Sequence, residues 1–333
     1  MGQMCRRMLV LGFAIVAATS ASHIGHAQPN PFRLAENWAQ LPKSFAWGEV
    51  ADADFDAQGN LWVLHRPPTP GGTAWSAGNT GGGDVPVLMF DTSHKLVKSF
   101  GQGLFLQPHG LHIDPEGNVW VADSGPFYEP GKVEGKGFQV FKFSRDGKLL
   151  MTLGKAGVSM GGPDTFVAPT DILVNARGDI FVADGHTPRP GPQVGDRIVK
   201  FSKDGTFIKA WGSQQGSKPG ELHGPHRLAF DSQGRLFVAD RGNRRIQIFD
   251  QDGSFIDQWT QFGNPSGIWI GNNDTLYVAV AGQDAGIRIG NAKNGSLTAV
   301  IRETSPEVVA ADAHGNIYSG LVGGMQLQHF VTK

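Results

Sequence analysis

A unit of 16 residues recurs six times along this chain, and fixed-period repetition of this kind restricts a sequence to a few repeat architectures. The copies read VADADFDAQGNLWVLH at 50–65, PHGLHIDPEGNVWVAD at 108–123, PTDILVNARGDIFVAD at 169–184, PHRLAFDSQGRLFVAD at 225–240, PSGIWIGNNDTLYVAV at 265–280 and PEVVAADAHGNIYSGL at 306–321. Each is patterned as a β-hairpin: an apolar strand, a turn rich in Gly, Asn and Asp, then an aromatic and β-branched strand. Copies two to five are followed by two more strand-like runs, such as RIQIFD (245–250) and SFIDQWT (254–260) around Gln251-Asp252-Gly253. Four strands per repeat make a propeller blade, so the sequence predicts an all-β, six-bladed β-propeller. The last copy ends on MQLQHFVTK, one strand short, while the N-terminal run near 32–42 has no hairpin of its own. The expectation is that this N-terminal strand completes the last blade and closes the ring, removing an open edge.

One column fixes the alignment. Twelve residues after each anchor (Val50 or a proline) stand Trp62, Trp120, Phe181, Phe237, Tyr277 and Tyr318, all aromatic. Such a column is core packing between neighbouring blades rather than a set of ligand stackers.

Residues 1–27 read as a signal peptide: Arg6-Arg7, an apolar run from Met8 to about Thr19, and small residues ending in Gly25-His26-Ala27. A short membrane-tethered N-terminus is the competing reading, but the run is too short for a permanent anchor. Export to the periplasm or outside follows, with no membrane association after cleavage, and residues 28–333 form one propeller domain. Cleavage removes Cys5, the only cysteine, so no disulfide or thiolate ligand remains. The leader carries two arginines and no acid, which leaves 27 − 30 = −3 for the remainder. No basic stripe is present, and nucleic acid is excluded as a partner.

In a propeller the start of each first strand, the end of each second strand and the connection to the third strand share one mouth of the channel. Long Gly- and Pro-rich insertions at 67–84, 125–137 and 187–196 fall on that mouth in blades one to three, as a wall or lid would. The residue after each anchor is Ala51, His109, Thr170, His226, Ser266 and Glu307 in blade order. Blades two, four and six therefore carry His, His and Glu, and alternate blades are roughly 120° apart around the axis. Converged, His109, His226 and Glu307 form an open three-ligand site suited to a divalent metal, zinc or facial-triad iron. A single histidine in such a place is more often a packing or hydrogen-bonding residue. Arg66 and Arg241 share a column at the second-strand ends, where a guanidinium can clamp a substrate carboxylate. The plainer alternative is an arginine paired with a neighbouring acid such as Asp240.

At these residues the chain resembles the NHL-repeat propellers and, within them, the peptidyl-α-hydroxyglycine α-amidating lyases. The marks are NLWVLHRP at 60–67, LQPHGLHID at 106–114, APTDILV and FVADGH within 168–186, and GPHRLAF and VADRGNRRIQIF within 224–249. The resemblance implies a six-bladed propeller with zinc held by three histidines in the channel and a structural calcium nearby. It implies C–N cleavage of a C-terminal α-hydroxyglycine, releasing glyoxylate and leaving a peptide amide. Carried over, His109 and His226 are zinc ligands, and Arg66 and Arg241 are active-site arginines. Three positions depart from the pattern. The third histidine is Glu307, the calcium-ligating Asp is Val308, which argues against calcium, and the catalytic tyrosine is His186. A histidine can do acid–base work near neutral pH, and Tyr128 in the blade-two insertion is a possible substitute.

Three functions follow as expectations. The first is an exported, metal-dependent lyase or hydrolase acting at the channel mouth on a small carboxylate-bearing substrate or peptide C-terminus. The second is a non-catalytic NHL propeller that binds a peptide, glycan or protein partner. The third is a lactonase-like propeller, against which the histidine pair argues, because that site is carboxylate- and Asn-rich. His314 reads as a solvated turn residue and His223 as an exposed or supporting one. GNTGGGD and GPFYEPG are not phosphate loops, since no helix follows them.

Overall fold

The computed structural model describes residues 30–67, 85–125, 135–185, 195–212, 215–302 and 304–333. The leader 1–27 and most of the three insertions lie outside the described residues, as do His186 and Tyr128. The first strand is β1 (Phe32–Ala35). Blade one is β2 (Glu49–Phe55), β3 (Leu61–Arg66), β4 (Val87–Phe90) and β5 (Leu96–Phe100). Blade two is β6 (Pro108–Ile113), β7 (Val119–Asp123), β8 (Gln139–Phe143) and β9 (Leu149–Leu153). Blade three is β10 (Pro169–Val174), β11 (Ile180–Asp184), β12 (Arg197–Phe201) and β13 (Phe207–Trp211). Blade four is β14 (Pro225–Phe230), β15 (Leu236–Asp240), β16 (Arg245–Phe249) and β17 (Phe255–Trp259). Blade five is β18 (Pro265–Ile270), β19 (Thr275–Val280), β20 (Gly286–Asn291) and β21 (Leu297–Ile301). Blade six is β22 (Val308–Ala311), β23 (Ile317–Leu321) and β24 (Gln326–Thr332), completed by β1 in the order β1-β24-β23-β22.

The ring is therefore six antiparallel four-stranded sheets, closed by the N-terminal strand, as the repeat predicts. Blade one also has its two outer strands, β4 and β5, which residues 67–84 separate from their hairpin in the sequence. Each first strand packs on the first strand of the next blade, and β2 packs on β22 to complete the circle. Among the described residues no helix is long and apolar enough to cross a membrane.

The recurrent residues explain themselves in place. The Asp that ends a first strand organises the turn: Asp56 Oδ1 accepts from the amides of Gln58 and Asn60, and Asp114 Oδ1 from Glu116 and Asn118. Their Oδ2 atoms take the indole N–H of Trp62 at 3.1 Å and of Trp120 at 2.9 Å, which ties turn to aromatic column. All six column aromatics are buried in the core, as expected. The Asp of the VAD motif ends the second strand and holds the segment that leads into its own blade. Asp123 accepts from Leu106 N and Gln107 N, Asp184 from Val167 N and Ala168 N, and Asp240 from His223 N. Blade one has His65 there instead. Its Nδ1 accepts from Gly48 N at 3.2 Å, and burial lowers its pKa to about 4, so a neutral imidazole does the work of the carboxylate.

Candidate metal centre at the channel mouth

A bulge aims the candidate ligands. In blades one to five the pairing of first and second strands slips right after the anchor: between Val50 and Asp52, Pro108 and Gly110, Pro169 and Asp171, Pro225 and Leu228, and Pro265 and Gly267. The residue in the slip has no cross-strand partner in register, and a bulge of this kind re-aims a side chain. That residue is Ala51, His109, Thr170 or Ser266, and in blade four the slip takes in both His226 and Arg227. In blade six β22 starts two residues after the anchor Pro306, and Glu307 stands at the same level, its amide donating to Gly320 O.

The structure brings His109, His226 and Glu307 together, with one donor atom from each lying within 4.8 Å of the others. A tetrahedral zinc with bonds of about 2.1 Å needs its donors roughly 3.4 Å apart, so a small side-chain closure would suffice. Both imidazoles are oriented from behind. His109 Nδ1 lies 2.9 Å from Thr170 O, and His226 Nδ1 lies 2.6 Å from Ser266 O. A carbonyl only accepts, so His226 Nδ1 carries the proton and its Nε2 a lone pair, while His109 Nδ1 faces both Thr170 O and, at 3.2 Å, the Arg227 Nη1 donor. Metal-binding histidines are commonly fixed in this tautomer by such a bond.

His226 Nε2 lies 3.1 Å from Glu307 Oε1. A lone pair facing a carboxylate oxygen at that distance repels unless a positive charge stands beside both. Arg241 supplies one, with Nη1 2.8 Å from His226 Nε2 and 3.3 Å from Glu307 Oε1. The alternative of protonating His226 is disfavoured: burial, then the Arg241 charge, lowers its pKa to about 4. Burial alone would raise the Glu307 carboxyl, but the positive charges of Arg241 and Arg227 beside it favour the anion and the acid lies below the usual carboxylate range. Two imidazoles and an anionic carboxylate form a donor set that suits zinc.

The two candidate arginines part company. Arg241, at the start of the turn Arg241–Asn243, faces the cluster, and its side chain is 29% exposed. Asp240 pairs instead with Arg245 at 2.7 Å. Arg66 is buried, donates from Nε to Pro108 O at 3.0 Å and pairs through Nη1 with Glu49 at 2.9 Å. It reaches the backbone beside His109 and already has an acid, the cross-strand partner Glu49. The three insertions leave from the ends of β3, β7 and β11, the mouth where the cluster sits. His223 and His314 are exposed.

Two contributors escaped the sequence reading. The carbonyls of Thr170 and Ser266 orient the histidines, and a backbone atom leaves no mark in a residue pattern. Arg227 lies buried just behind His226, and an arginine inside the strand PHRLAF was the available signal.

Residues 222–249 match the NHL repeat family. The chain is 31% identical to "Peptidyl-glycine alpha-amidating monooxygenase A" of Xenopus laevis over 82% of its own length and 30% of that protein. It is 32% identical to "Peptidyl-alpha-hydroxyglycine alpha-amidating lyase 1" of Drosophila melanogaster, covering 64% of the chain and 40% of the relative. With "NHL repeat-containing protein 3" of Homo sapiens it shares 31% identity over 90% of the chain and 84% of the relative. The chain thus spans about a third of the length of the amidating monooxygenases it matches, at 30% and 33%.

Proposed function

The chain belongs to the NHL-repeat β-propeller family, and from that membership we propose that it is an exported, metal-dependent lyase of the amidating type. The observation that carries this reading is the convergence of His109, His226 and Glu307 at one mouth of the channel, beside Arg241. The reaction is cleavage of the C–N bond of an α-hydroxyglycine, leaving an amide and releasing glyoxylate. A divalent ion held by the three donors, zinc by their chemistry, supplies Lewis acidity toward the substrate hydroxyl.

The chain's own groups do the rest. Ser266 O keeps the His226 Nε2 lone pair directed inward, and Thr170 O holds the His109 ring from behind. Arg241 gives up its contact with His226 and takes the substrate carboxylate in two parallel hydrogen bonds, for which its partial exposure leaves room. Arg66 holds the strand start at Pro108 in place rather than meeting substrate. The hydroxyl must lose a proton and the departing nitrogen must gain one. We assign that exchange to His186, immediately before the blade-three insertion, with Tyr128 in the blade-two insertion as the alternative.

The Arg241–Glu307 contact favours a second reading, a propeller that binds a peptide, glycan or protein without turnover. There the guanidinium, and no metal, would neutralise the acid. A glyoxylate-release assay on an α-hydroxyglycine peptide separates the two. The lyase reading expects zinc-dependent glyoxylate from the wild type and none from His226→Ala. No glyoxylate from zinc-loaded wild type would transfer the site to the binding reading.

A further inference from the structure

Directly behind the three candidate ligands the channel holds a second set of polar groups that the lyase reading leaves unused. One residue further along each first strand the column reads Asp52, Gly110, Asp171, Arg227, Gly267 and Val308. Arg227 is 2% exposed. Its Nη1 donates to Thr170 O at 3.0 Å and His226 O at 3.3 Å. Its Nη2 donates to His109 O at 2.9 Å and to Ala51 O. Nε stands 3.6 Å from Asp52 Oδ1. One guanidinium thus gathers a carbonyl from each of blades one to four.

The surrounding acids are built in as firmly. Leu111 N donates to Asp52 at 2.6 Å, and Leu228 N donates to Asp171 at 2.8 Å. Burial pushes both carboxyls up, and Arg227 pulls them back. Packing around Asp171 is close: a Cβ on Gly110 would come within 2.5 Å of Thr170 O and 2.9 Å of Asp171 Oδ1.

Four carbonyl oxygens and two carboxylates are the donor set a hard divalent cation such as calcium takes. The resemblance implies such an ion, and the residues here do not fit one. The guanidinium already occupies the convergence of the carbonyls, and Val308, buried at 2% exposure, stands where a calcium-ligating acid is expected. We propose that Arg227 is a built-in cation, which takes the place of a bound divalent ion in tying blades one to four together and makes the channel independent of calcium. This inference does not rest on the lyase reading, since it concerns the ring and not turnover.

Thermal melts of the full-length protein test it. Wild-type curves in EGTA and in millimolar calcium should superimpose, and dialysed wild type should carry no calcium. Arg227→Ser should melt at least about 5 °C lower and recover part of that loss on adding calcium, because the freed oxygens then have an ion to bind. A wild-type Tm that rises with calcium or falls with EGTA would overturn the proposal, as would Arg227→Ser melting with the wild type. If Arg227→Ser does not fold, the wild-type calcium arm still decides the matter by itself.

Discussion

Arg241→Ala will lower kcat/KM for an α-hydroxyglycine substrate by about 10²–10³-fold, in the range expected when a charged donor aimed at a reacting group is removed. The variant should keep its metal. In the protein as it stands Arg241 competes for the lone pair of His226 and the charge of Glu307, so alanine should leave zinc affinity unchanged or higher. Arg241→Lys should recover a minor part of the rate, since a point charge cannot form two parallel bonds to a carboxylate. Steady-state kinetics paired with metal content distinguishes this from general damage. An Arg241→Ala protein that loses zinc along with activity would mean that the arginine builds the metal site rather than holds substrate.

A second large effect is expected at the seam of the ring. Removing residues up to Ala35 deletes β1 and its register with β24, from Phe32 opposite Thr332 to Ala35 opposite His329. The loss strips one ladder from blade six and leaves β24 as an unprotected edge. It also removes Phe32, 8% exposed and packed in a cluster with Tyr277, Val309 and Phe330. The point variant Phe32→Ala isolates the packing part, at about 3–5 kcal/mol, or about 5–8 °C in Tm for a chain of this size. The deletion should fall further and aggregate on heating. Melting curves with light scattering check both, and a deletion variant that melts with the wild type would show that the ring is closed by something other than β1.

The blades were legible because each is a local object. A hairpin announces itself through its turn residues, and six hairpins at matching offsets leave one architecture. The convergence of His109, His226 and Glu307 could also be read, since the positions are equivalent by repeat and alternate by blade. What lay beyond the sequence was set across the ring or by backbone atoms. The bulge that turns His109 and His226 inward is a slip in pairing, with no residue type of its own. Arg66 follows His65 and no acid in the sequence, yet Glu49, 17 residues earlier, lies opposite it in the ladder. The reach of Arg227 across blades one to four depends on how the blades face one another around the ring, which no single strand encodes.

Three side chains on alternate blades are assigned one shared ion, and counting that ion decides the assignment. The protein should be stripped with chelator, reloaded with zinc, passed through a metal-free column and analysed for bound metal. Wild type should hold about one zinc per chain, and His109→Ala and Glu307→Ala should each lose it, because structural-strength binding needs all three donors. Equal metal in wild type and both variants, or no zinc on wild type at micromolar supply, would contradict it.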